Sequence, residues 1–229
     1  MGQVVSADAA RETIVADAEQ TLTNARARQG ELLAEAEAAL GPALALYHEA
    51  ASEAAAADRA AADARARRQV ANDTADGIVV EVVDDLFEAG GRTRHDPFLA
   101  VALPGGAGPI AGGALEDQPA RMRLAARLLG KVNHPRIPKA TLVAAADRLA
   151  AAANPLADVI DQTRDVIVTA EVADKTLTAL ARVVRSELIG LKRRWIGQRM
   201  SETEIHKLIP DRPSARPKPK DEDKKDGEG

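Results

Sequence analysis

The stretch from Pro155 to Trp195 reads PLADVIDQTRDVIVTAEVADKTLTALARVVRSELIGLKRRW, and its spacing decides the fold class. Apolar or small residues recur at Leu156, Val159, Thr163, Val166, Ala170, Ala173, Leu177, Leu180, Val184, Leu188, Leu191 and Trp195. Every step is three or four. A helix turns once per 3.6 residues, so these positions line one face. Asp, Arg, Glu and Lys occupy the positions between them, the pattern of a long amphipathic, coiled-coil-like helix.

Working back from that helix, Asn154-Pro155 reads as a boundary, because proline removes a helical N–H. A shorter helix is expected from about Lys139 to Ala153, after an Asn133-His134-Pro135-Arg136-Ile137-Pro138 connection. Another should start near Glu116 or Asp117, with Pro119 in its first turn, and run to about Lys131.

The N-terminal arm repeats the same step: Val15, Ala18, Leu22, Ala25, Gln29, Leu32, Ala36, Leu40, then Ala43, Tyr47, Ala51, Ala54, Asp58 and Ala61. Ser6 is a candidate N-cap, with Asp8 and Glu12 near the positive end of the helix. Gly30 should only weaken the arm locally. Gly41-Pro42 could kink or reverse it, and the unbroken step of three and four favours a kink or a tight restart. From Ala50 to Arg68 the chain is alanine mixed with charge, so its buried face should be thin. Ile78, Val79, Val82, Val83, Leu86 and Phe87 form a denser patch that stops at Gly90-Gly91.

Composition agrees with slender helices packed side by side. Aromatic residues make up 2% of the 229-residue chain, too few for a thick core. With 31 basic and 35 acidic residues the net charge is −4, which argues neither for a specific nucleic acid nor for an anionic membrane as the main partner. Cysteine is absent, excluding disulfides and thiol chemistry. Met1 to Ala10 has neither a basic nor an apolar signal region, so a cytoplasmic location is expected. Rich Ala and Arg usage suggests a GC-rich bacterial genome.

The expected fold is therefore all-α: an elongated antiparallel helical bundle or coiled coil, one domain over residues 1–209. It comprises an N-terminal arm (6–89), a Gly/Pro-rich apolar loop (90–118), short helices (119–153) and a long C-terminal helix (155–209). Residues 210–229, rich in proline and charge, read as a disordered tail.

Two places are candidate interaction sites. The first is the uncharged stretch from Pro97 to Leu115, where Phe98, Leu99, Val101, Leu103 and Ile110 form an extended or buried apolar segment leading into a glycine-rich loop. Loops are ordinarily polar, so something should cover this one. The second is Lys192-Arg193-Arg194 with Trp195, a basic cluster near the end of the long helix. On a solvated face it would be no more than favourable charge at a helix C-terminus.

Catalytic and cofactor chemistry find no footing. The glycine-rich loop lacks the Lys-Ser/Thr of a phosphate-binding loop and the spacing of a dinucleotide fingerprint, and Glu116 and Asp117 would repel phosphate. His48, His95, His134 and His206 have no Glu three residues before them, as a di-iron bundle would require. Glu202 and His206 could meet on one helix face, but one pair is not a metal site. No nucleophile elbow occurs. No cofactor, metal or small molecule is expected.

In outline, an uncharged tongue between two helical arms resembles the α-helical pore-forming toxins, and the resemblance implies membrane action through residues 97–115. The main expectation is a non-catalytic scaffold, assembly factor or oligomeric building block, with a second copy or another helical protein as partner. Membrane action is the first alternative and a ligand-binding or catalytic bundle the second.

Overall fold

A computed structural model describes residues 9–91 and 96–210, and the structural statements below concern these residues. The Ser6 cap, His95 and the tail beyond Pro210 lie outside them. The elements are α1 (Arg11–Arg28), α2 (Gly30–Ala89), α3 (Pro97–Ala102), α4 (Gly108–Ala111), a 3-10 turn (Leu115–Asp117), α5 (Gln118–Leu129), α6 (Lys139–Gly197) and α7 (Glu202–Leu208). No strand occurs among the described residues, so the fold is all-α.

The chain forms two compact units, one of Met1–Ala54 with Ala173–Gly229 and one of Ala55–Val172. The long helices α2 and α6 each supply a part to both. Burial along α6 follows the stripe read from sequence. Leu156, Thr163, Ala170, Leu177, Val184 and Leu191, each seven residues after the last, are all buried.

In the first unit the N-terminal arm is two helices rather than one. It breaks at Gln29 (φ 57°) and Gly30 (φ 67°), both in the left-handed region. Glycine enters that region without a Cβ penalty, which lets the chain reverse within two residues. Helix α1 then lies antiparallel to α2, as the Arg26–Glu37 (3.8 Å) and Glu19–His48 (3.1 Å) pairs show. Gly41-Pro42 causes no reversal, because Pro42 sits inside α2. A proline inside a helix costs about 3 kcal/mol. Buried Leu40, Ala43 and Leu44 on either side hold the helix together there. The core joins Val15, Ala18 and Leu22 of α1, Leu40, Leu44 and Tyr47 of α2, Leu177, Leu188 and Leu191 of α6, and Ile205 and Leu208 of α7.

The long C-terminal helix also differs from its expected bounds. Asn154-Pro155 does not end a helix, since α6 starts at Lys139 and runs through Pro155 to Gly197. Buried Ala152, Ala153 and Leu156 flank the proline and fasten both sides. At the other end the helix stops short of residue 209. Arg199 takes φ 64°, and α7 begins anew behind a capping box of Ser201 and Glu204. Helix α7 is tied to α1 by Asn24, whose Nδ2 donates to Leu208 O at 2.9 Å.

In the second unit the described residues 96–118 of the expected loop form short helices rather than irregular chain. Asp96 accepts hydrogen bonds from the amides of Phe98 and Leu99, which caps α3, and Pro97 occupies its first turn. After Gly112, Gly113 and Ala114 the 3-10 turn begins, and α5 continues it without a break. The core joins Val79, Val82 and Leu86 of α2, Leu99 and Leu103, Met122 and Leu129 of α5, and Leu142, Leu149 and Leu156 of α6.

Candidate functional site

Helical winding sorts the apolar run that sequence left undivided. Within Pro97-Phe98-Leu99-Ala100-Val101-Ala102, Leu99 and Ala102 turn inward while Phe98 and Val101, three residues apart, turn outward at 44% and 62% exposure. Leu103 and Ile110 are also buried, against α5 and the end of α2. The inward residues of the segment are thus core, and Phe98 and Val101 are its exposed large apolar side chains. Arg121 fastens the far side of the segment by donating to Ile110 O and Ala114 O, each at 3.1 Å.

The near side is fastened by His134, which the sequence showed only as a histidine without the Glu spacing of a di-iron site. Its side chain is 1% exposed and lies 2.7 Å from Asp96 Oδ2. His134 Nδ1 accepts from the amides of Arg136 and Ile137, both at 3.0 Å. Two donors on Nδ1 leave the proton on Nε2, which donates to Asp96. The Phe98 ring stands edge-on to the imidazole, with centroids 5.4 Å apart. Burial alone would push the Asp96 carboxyl up. The hydrogen bonds from His134 and from the amides of Leu99 and Phe98 outweigh it and hold the group below the ordinary aspartate range.

Chemically this pair is closed. Both imidazole nitrogens and both Asp96 oxygens already have partners, so neither residue offers a free base to a ligand. An open depression of about 530 Å³ borders it, lined by Phe87, Asp96, Pro97, Ala100, Leu103, Gly105 and Gly106. Among the described residues Asp96 is the one charged group on that wall, and its charge is spent on the cap and on His134. In the first unit a depression of about 590 Å³ is lined by Arg11, Glu12, Asp174, Thr178 and Arg182, among others. There Arg11 pairs with both Asp174 and Glu12, and these carboxylates raise its pKa further.

The basic cluster near the end of α6 does not stay together. Arg193 and Arg194 are exposed and Lys192 is half-buried, but Trp195 is wholly buried in the first unit's core. Its indole N–H donates to Glu35 Oε2 at 2.8 Å, and Gln198 Nε2 donates to Glu35 Oε1 at 2.6 Å. Tryptophan brings a large apolar body and one donor, and this site satisfies both. Adjacent positions on a helix point about 100° apart, so nearness in sequence did not make a shared surface.

Glu202 and His206 do meet on one face of α7, at 3.6 Å. No group of three or more potential metal ligands occurs among the described residues. No described helix is long and apolar enough to cross a membrane. Comparison with protein-family models, with curated proteins and with solved structures found no match in any of the three.

Proposed function

We propose that this chain is a non-catalytic helical interaction protein that associates with a second copy of itself. One observation carries the reading. Between residues 55 and 74 of α2 only Ala61 and Ala64 are buried, and between residues 161 and 172 of α6 only Thr163 and Ala170 are. Alanine buries little area, and long helices draw most of their stability from packing. Away from this thin seam, on the outer face of α6, Val168 and Val172, one turn apart, are 50% and 56% exposed. A further helix laid on that face would give it the apolar cover that one chain lacks. The cysteine-free sequence suits a reducing cytoplasm as the setting.

Light scattering at several concentrations tests the proposal. Molecular mass should rise above 24.1 kDa with concentration. Val168→Lys combined with Val172→Lys should return it toward the monomer without loss of helix content. A strict monomer at the highest concentration would sink the reading.

A further inference from the structure

Charge is distributed unevenly along this chain. From Gln118 to Ala146 there is no acidic residue, whereas Arg121, Arg123, Arg127, Lys131, Arg136 and Lys139 are basic. All 35 acidic residues lie elsewhere, in a protein whose net charge is −4. The uncharged stretch from Pro97 to Leu115 packs against this basic stretch within the second unit, through α3 and α4 on α5.

The two stretches meet at Phe98. Its ring stands edge-on to His134, in the middle of the 130–138 connection that carries Lys131 and Arg136 and leads into Lys139 at the start of α6. All three of these residues are exposed. Asp96, at the start of the same helix as Phe98, is buried and spent on His134 and the α3 amides. Arg136 and Lys139 also hold backbone carbonyls, at Gly90 and at Gly130 and Val132, so they stabilise the connection itself. For Arg127 and Lys131, both exposed on and just after α5, the structure gives no such carbonyl contact. The result is a pair of exposed apolar side chains, Phe98 and Val101, on a helix packed against the acid-free basic stretch.

We propose that this face of the second unit docks onto the surface of an anionic lipid bilayer. Such a surface presents negative headgroups above an apolar layer, and the protein presents the complement of each. Basic residues near an anionic membrane each contribute on the order of fivefold in binding, and apolar side chains enter the headgroup boundary without spanning it. Nucleic acid fits less well, because its phosphates and base edges call for polar groups where Phe98 and Val101 stand. Leu99, Leu103 and Ile110 are committed to the core, so the contact is peripheral and needs no unfolding of the segment.

The test is sedimentation of the full chain with vesicles of phosphatidylcholine alone or mixed with phosphatidylglycerol. Retention is expected on the mixed vesicles only, with release in about 0.5 M salt as charge is screened. Phe98→Ser with Val101→Ser should weaken retention on the order of tenfold, and separately Arg127→Glu with Lys131→Glu by at least about 25-fold. All four positions are exposed, and far-UV circular dichroism of each variant should match the parent. No retention on mixed vesicles, equal retention on both vesicle types, or unchanged binding by either variant would overturn the proposal. So would a Phe98/Val101 variant whose lipid binding is unchanged but whose mass in solution falls, because the face would then join copies of the chain. The outcome is independent of self-association through Val168 and Val172, whose own variant leaves this face intact.

Discussion

From Val79 to Leu86, α2 buries Val79, Val82, Val83 and Leu86 against Met122 and Leu129 of α5 and the leucines of α6. From residue 55 to 74 the same helix buries only Ala61 and Ala64, opposite Thr163 and Ala170. Both stretches belong to one unit and one helix pair, yet different physics holds them. A buried leucine is worth about 1.5–3 kcal/mol in apolar transfer, and alanine offers little more than one methyl group. In the thin stretch the hydrogen bonds of Arg68 take over the role of side-chain volume. Its Nε donates to Thr163 Oγ1 at 2.6 Å and its Nη2 to Ile160 O at 3.0 Å, while Nη1 meets Glu116 at 3.3 Å. Nearby, Gln118, 1% exposed, donates to Asp76 Oδ1 at 2.6 Å. Volume specifies the thick stretch and directed polar contacts specify the thin one.

The widest gap between the two stretches should appear on truncation. Leu129, fully buried in the thick stretch, should cost about 2–5 kcal/mol when changed to Ala, from lost transfer energy and the cavity left behind. Ala64→Gly in the thin stretch should cost only about 1 kcal/mol, mainly helix propensity. Urea unfolding of the two variants beside the parent measures both. Equal losses would mean that the alanine seam is packed as firmly as the leucine core.

The Asp96–His134 pair belongs to the thick stretch but is held by polar contacts, so it tests whether the division is complete. Asp96→Ala removes the α3 cap and leaves a buried His134 N–H without its acceptor, together about 2–3 kcal/mol. The sign of the pH effect follows from the lowered carboxyl pKa. The stabilisation is fully present above the ordinary aspartate range and is lost as pH falls through the folded-state value. Thermal melts from neutral pH downward should show a larger acid-side loss in the parent than in Asp96→Ala. Parallel curves for the two proteins would remove the pair from the acid response.

The thin and thick stretches were also unequally legible in sequence. The helical stripes of α2 and α6 stood out because burial repeats with the helix, and the thin face showed as alanine. The reversal at Gln29-Gly30 did not, because the step of three and four continues across it while the chain turns back. Prolines misled in the opposite direction at Pro155, where packing on both sides offsets a cost that local propensity alone would make decisive. At the candidate site, the apolar run and its need for cover were visible. Which residues face outward was not, since that depends on α3 forming and on the Asp96 cap that starts it. His134 reaches Asp96 across 38 residues, a pairing that only the packed α5 and α6 create.

Arg68 offers the finest test of the thin stretch. Arg68→Met keeps most of the aliphatic stem but removes the guanidinium, so any loss reports the hydrogen bonds and not volume. The expected cost is about 1–2 kcal/mol by urea unfolding, since Ile160 O and Thr163 Oγ1 lose a charged donor. Arg68→Lys should recover less than half of it, because one ammonium cannot supply the forked pair of N–H groups that reaches Thr163 and Ile160 together. Thr163→Val removes the acceptor on the other side at nearly constant volume. Combined with Arg68→Met it should cost less than the sum of the two, because each change breaks the same bond. Additive losses would show that the two residues act separately, and the seam would then rest on its alanines alone.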